Sequence, residues 1–172
     1  MKRYILLLAA VLLLLCGCAK NDTLYLYILP ADSVQDNMSD GEIASLAASE
    51  GRLAMTGDDF SGVVWESQLF ELKKDAVPSV GTTSAESGGS ALLKTTDSDV
   101  FVWVLGGKTV YVGGFARGQS NADSVRVPYI EDSGRYTFVL KTDDRYGDDK
   151  RFNKRLYRYF HDAGLLKSEI VQ

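Results

Sequence analysis

The sequence predicts a single α+β domain, a mainly antiparallel sheet flanked by a short helix in its N-terminal half and an amphipathic helix near its C-terminal end. Three observations predict it. Two β-rich runs flank Gly106-Gly107, Ser39 and Glu42 form a capping box ahead of helical spacing, and a charged, aromatic-bearing stretch before Gly164 has the period of a second helix.

In chain order, residues 23–29 are strand-like, and Pro30 and a polar turn follow. The capping box then opens a helix over Asp40–Glu50, with Ile43, Leu46 and Ala47 at helical spacing and Gly51 as its stop. Residues 52–60 carry no decisive pattern. Residues 63–72 read as one strand with Trp65, Leu69 and Phe70 as core contacts. The loop 81–91 follows, since Gly, Ser or Thr fill eight of the ten positions from Gly81 to Ser90. It is an excursion within one domain, because a boundary there would leave two halves with thin cores.

Residues 100–105 and 109–115 form a hairpin, because paired glycines accept the positive φ that a two-residue hairpin turn demands. Val100-Phe101-Val102-Trp103-Val104-Leu105 is apolar at both parities, so this strand is central and covered on both faces. Two further strands, 125–130 and 135–142, are separated by the turn-forming Glu131-Asp132-Ser133-Gly134. A helix over residues 149–163, with Asp148 or Asp149 as its cap, closes the pattern at Gly164. Clustered strands with flanking helices make the α+β class the economical reading.

The first residues carry an address. Lys2 and Arg3 precede twelve unbroken apolar residues, 4–15, and Gly17 precedes Cys18. A permanent span needs roughly 20 apolar residues, so this layout predicts a cleaved signal peptide over 1–17. Leu15-Cys16-Gly17-Cys18 resembles the lipobox of bacterial lipoproteins. The resemblance implies that Cys18 becomes the first mature residue and carries the lipid, and that the protein is a membrane-anchored lipoprotein of the cell envelope. Ala19 rather than Asp after that Cys fits, by the same resemblance, release toward an outer membrane where one exists. Residues 18–22 are then a short tether reaching roughly 15 Å, and 23–172 the domain. More faintly, Val102-Trp103-Val104 and Val110-Tyr111-Val112-Gly113-Gly114-Phe115, with the polar loop, strand and Asp-rich turn after them, are similar to small secreted bacterial proteins of unassigned function. That similarity implies no site residues.

Composition narrows the chemistry. The chain carries a formal charge of −4, and removing Lys2 and Arg3 with the leader leaves 17 basic against 23 acidic residues. That acidity argues against nucleic acid as a partner. The mature chain keeps one thiol, on Cys18, so its core must hold it without an intrachain disulfide. With a single histidine, His161, no site can use two imidazoles. Asp143, Asp144, Asp148 and Asp149 lack the spacing of a calcium loop, and Gly113, Gly114 and Gly118 lack that of a phosphate loop, so the expectation is no metal and no cofactor. Gly118-Gln119-Ser120-Asn121-Ala122 is similar to a nucleophile elbow, and Asp143 or Asp144 and His161 follow in hydrolase order. Ser120, however, sits in a polar loop leading to a strand, and the elbow's last glycine is missing.

The most legible surface lies on the closing helix. At helical spacing Lys150, Arg151, Lys154, Arg155 and Arg158 share a sector of about 140°, and Phe152, Leu156, Tyr159, Phe160 and Ala163 share a separate one of about 100°. One face packs and the other is basic. In an acidic chain this concentration suits an anionic partner: lipid headgroups, an envelope polymer or an acidic envelope protein. The expected role is that of a noncatalytic binding or interaction module. The competing expectations are a small serine hydrolase and a structural subunit of an envelope complex. Replacing Cys18→Ser is expected to abolish acylation and leave precursor uncleaved or mislocalised. Normal processing and detergent partitioning in that variant would refute the anchor.

Overall fold

The computed structural model describes residues 23–76, 90, 92–96, 98–115, 128–142 and 151–168. The leader and Cys18 lie outside the described residues, as does all of the loop 81–91 except Ser90. Among the described residues, nine strands form one mixed sheet. They are β1 (Leu24–Pro30), β2 (Arg52–Thr56), β3 (Phe60–Val64), β4 (Leu69–Leu72), β5 (Asp99–Leu105), β6 (Lys108–Phe115), β7 (Tyr129–Gly134), β8 (Thr137–Lys141) and β9 (Leu166–Lys167). Their order is β2-β1-β5-β6-β7-β8-β4-β3-β9. Every neighbouring pair is antiparallel except β6–β7 and β3–β9. Two helices, α1 (Asp40–Glu50) and α2 (Lys154–Asp162), complete the α+β domain.

The sheet folds over itself. Strands β5 and β4 stand four places apart, which in a flat sheet is roughly 19 Å. Yet the rings of Trp103 on β5 and Phe70 on β4 lie 5.1 Å apart, edge to face. Phe60 on β3 reaches both, and Phe138 on β8 stacks on Phe70 at 5.2 Å. All four rings are buried and share one cluster with Leu24, Leu26, Phe101, Leu105, Ile130 and Leu140. Helix α2 enters the same cluster through Leu156 and Phe160, which are four residues apart and so lie on one helix face. Phe160 meets Phe60 edge to face at 5.4 Å.

The outer face of β1, β5 and β6 is closed by α1. Ile43, Ala44 and Ala47 pack on Val100, Val102 and Val104, while Phe101, Trp103 and Leu105 point to the aromatic side. Both parities of β5 are thus buried, as its composition predicts. The β5–β6 turn is the expected one, with φ of 57° and 71° at Gly106 and Gly107.

Helix α1 has the predicted bounds and a complete capping box, in which Glu42 accepts hydrogen bonds from both the hydroxyl and the backbone N–H of Ser39. These bonds, the hydroxyl's first, hold the Glu42 carboxyl below its ordinary value. Their contribution is therefore present at neutral pH and lost as pH falls through that depressed value. Gly51 stops the helix differently from expectation. Its φ is −72°, and a side chain there would run into the Ala47 carbonyl and lie 3.1 Å from Tyr27 Cβ. Close approach, not a left-handed backbone, requires the glycine.

Three expected elements are corrected. Residues 63–72 are not one strand but the end of β3, a turn and β4. The turn has no Gly, Pro or Asn. It is made by Gln68 at φ 54°, whose backbone N–H and Nε2 both donate to the Trp65 carbonyl. Residues 131–134 are strand, not turn, and Arg135 and Tyr136 make the reversal. Glu131 is held in the ladder by Lys141 at 2.8 Å, and Asp132 accepts from the Ser90 hydroxyl at 2.5 Å and the Leu92 N–H at 3.2 Å. The closing helix begins at Lys154 rather than 149. Asn153 is its cap, accepting from the N–H groups of Arg155 and Leu156. Its end follows expectation, with Gly164 at φ 68° and the bonds Gly164→His161 and Leu165→Phe160 that close a Schellman turn.

Because Phe70 sits where both halves of the sheet meet, Phe70→Ala is expected to cost about 3–5 kcal/mol by denaturant unfolding. Trp103→Phe is expected to change stability by less than about 2 kcal/mol. Among the described residues Trp103 Nε1 is buried without a partner, so losing that donor offsets the lost ring volume. A Phe70→Ala variant as stable as the parent would contradict this view of the core.

Candidate functional site

The predicted basic residues do not form one helical face. Lys154, Arg155 and Arg158 lie on α2, Arg151 precedes its cap, and Lys150 lies outside the described residues. Two of them are tied to the frame. Arg155 Nη2 donates to the Leu105 carbonyl at 2.8 Å, at the end of β5. Arg151 Nη1 reaches the Leu140 carbonyl at 3.4 Å, and its own carbonyl accepts from the Tyr111 hydroxyl. That hydroxyl also accepts from the Asn153 N–H, so one tyrosine of β6 holds the entry to α2. Lys154 and Arg158 are exposed.

A groove runs along each flank of α2. One, of about 570 Å³, is lined by Leu105, Lys108, Arg155, Arg158, Tyr159 and Asp162. It is cationic, and Lys108 enters it from the β5–β6 hairpin. Burial, and then the Asp58 carboxylate, raise the Tyr159 phenol above its ordinary value, so this wall is neutral at physiological pH. The second groove, of about 640 Å³, is lined by Trp65, Phe152, Tyr157 and His161, with Lys154, Arg158 and Asp162 at its rim. Trp65 meets Tyr157 edge to face at 5.2 Å and Phe152 at 6.2 Å. Phe152 is 45% exposed and Tyr157 42%, which makes this an open aromatic wall resting on the half-buried Trp65.

The site borders the N-terminal end of β1. Thr23, the first described residue and five positions after Cys18, accepts a hydrogen bond from the Gly106 N–H through its carbonyl. Leu24 pairs with Leu105, and Leu105 is the residue that Arg155 holds. The N-terminal end of β1, the tip of the β5–β6 hairpin and α2 are therefore neighbours.

Ser120, Asp143, Asp144, Asp148 and Asp149 lie outside the described residues. His161 is exposed, with Nδ1 3.0 Å from the equally exposed Asp162. Among the described residues no group of three or more His, Cys, Asp or Glu could hold a metal, and no helix is long and apolar enough to cross a membrane. Sequence reasoning missed Lys108, which carries no motif. Trp65 is a core contact as expected, half-buried against the main cluster, and its remaining exposed surface lines the second groove. No protein-family profile, curated protein or solved structure matches the chain.

Arg155→Gln is expected to destabilise the domain by about 1 kcal/mol, since a charge-assisted bond to a main-chain carbonyl is lost from a partly exposed site. Lys154→Gln and Arg158→Gln are expected to stay within about 0.5 kcal/mol of the parent. Equal losses for all three, by urea unfolding, would mean that Arg155 has no framing role.

Proposed function

We propose that the protein is a lipid-anchored, noncatalytic binding module of the bacterial cell envelope, tethered through Cys18 and presenting the α2 surface to an anionic partner. The observation that supports this most is the adjacency of Thr23 to α2 through Gly106, Leu105 and Arg155. A tether of roughly 15 Å that starts beside α2 keeps Lys108, Lys154 and Arg158 close to whatever holds the lipid. In a mature chain of 17 basic and 23 acidic residues, those three exposed cations make a local surface of opposite sign. Asp162 opposes them at the rim.

The lipid supplies attachment and the charges supply orientation. Each Lys or Arg near an anionic surface contributes about 1 kcal/mol, fading beyond a Debye length of about 8 Å at physiological salt. Arg151 and Arg155 are left intact in the test because they hold the frame. The chain from Ala19 onward retains every described residue, and it is expected to float with phosphatidylglycerol vesicles at low salt and not with phosphatidylcholine vesicles. Lys108→Gln, Lys154→Gln and Arg158→Gln together should weaken that binding by up to about a hundredfold. A parent with no preference for anionic vesicles even at low salt would reject the α2 surface as the binding face.

A further inference from the structure

On the aromatic flank of α2, exposed Phe152 and Tyr157 stand beside half-buried Trp65, an arrangement that charge does not explain. Their rings come from two separate places, the β3–β4 turn and the start of α2, and meet edge to face at 5.2 and 6.2 Å. Trp65 also packs against the buried core cluster, whereas Phe152 and Tyr157 stand outside it. Lys154 and Arg158 rise from the rim of this wall.

We infer that the anionic partner is the membrane surface itself, and that Trp65, Phe152 and Tyr157 sit at its interface while Lys154 and Arg158 meet the headgroups. This rests on the tethered reading above. Trp and Tyr rings are amphipathic and settle at headgroup depth, and Lys and Arg stems lie along apolar surface while their charges reach phosphate. The same juxtaposition of rings and cations marks segments that lie in the interface without crossing it. Such a wall is too small to bind a bilayer strongly alone. A five-residue tether beginning beside α2 raises the effective concentration to the order of millimolar, which makes a weak surface sufficient.

The chain has two tryptophans, so Trp103→Phe leaves Trp65 as sole reporter. In that background two forms are compared on phosphatidylglycerol and on phosphatidylcholine vesicles. One is the lipidated full chain, and the other is the chain from Ala19 held by an N-terminal histidine tag on nickel-chelating lipid. On anionic vesicles Trp65 emission should shift to the blue, become quenchable by brominated acyl chains and lose access to aqueous acrylamide. Phe152→Ser with Tyr157→Ser, both at exposed positions, should reduce the docked population about tenfold or more. Should the tagged chain dock while the full chain never acquires lipid, the Cys18 anchor fails and the interfacial site stands. If both forms are attached and Trp65 remains as open to acrylamide as in free protein, or is buried equally on neutral vesicles, the inference is overturned. The aromatic groove would then belong to a soluble envelope polymer or protein.

Discussion

Closure of the sheet around Phe60, Phe70, Trp103, Phe138 and Phe160 is the constraint on which the rest of the structure depends. These rings come from β3, β4, β5, β8 and α2, elements that are distant in the chain and, for β5 and β4, distant in the sheet order. Phe60 contacts the other four at 5.4–6.4 Å, mostly edge to face, the arrangement that the charge distribution of aromatic rings favours. Burying large apolar surfaces from both halves of the sheet in one place is what makes the fold-over stable. One consequence is that β5 is buried on both sides, by these rings on one face and by α1 on the other.

The same packing creates the surface. Leu156 and Phe160 must face inward, so helical geometry turns Lys154, Arg155, Tyr157, Arg158, His161 and Asp162 outward. Tyr111 and Arg155 then fix how the helix sits against β6 and the end of β5. The two grooves are the spaces left on either side of a helix held in that way. Their difference in character follows from which strands border them. The β5–β6 hairpin contributes a lysine, and the β3–β4 turn contributes a tryptophan.

Local chemistry was legible wherever a short motif decides a local structure. The Ser39–Glu42 box, the Gly106-Gly107 turn and the stop at Gly164 each act within a few residues, and each is found where the residues imply it. Reversals made without a Gly, Pro or Asn, or overridden by partners elsewhere in the chain, were not legible. Gln68 turns the chain with its own side chain against Trp65, and Asp132 stays in a strand because Ser90 and Leu92 donate to it. Asp148, Asp149 and Asn153 are all good caps by residue type, and the docking of Leu156 and Phe160 selects Asn153.

By itself, the sequence determined the α+β class, the first helix, the central hairpin and its doubly covered strand, because these follow from periodicity and turn chemistry over a few residues. It also marked the closing helix as the carrier of basic charge. The tertiary structure decided which of those charges are free to meet a partner, tying Arg155 to Leu105 and leaving Lys154 and Arg158 exposed. It added Lys108 to that surface, brought Trp65 against α2, and set Lys108 and Arg155 beside the start of β1. The physical reason is range. Backbone preference acts between neighbours in the chain, whereas a surface is assembled by packing contacts between residues far apart in the chain, such as Arg155 with Leu105 at 50 positions or Trp65 with Tyr157 at 92, of the kind that a linear pattern does not record.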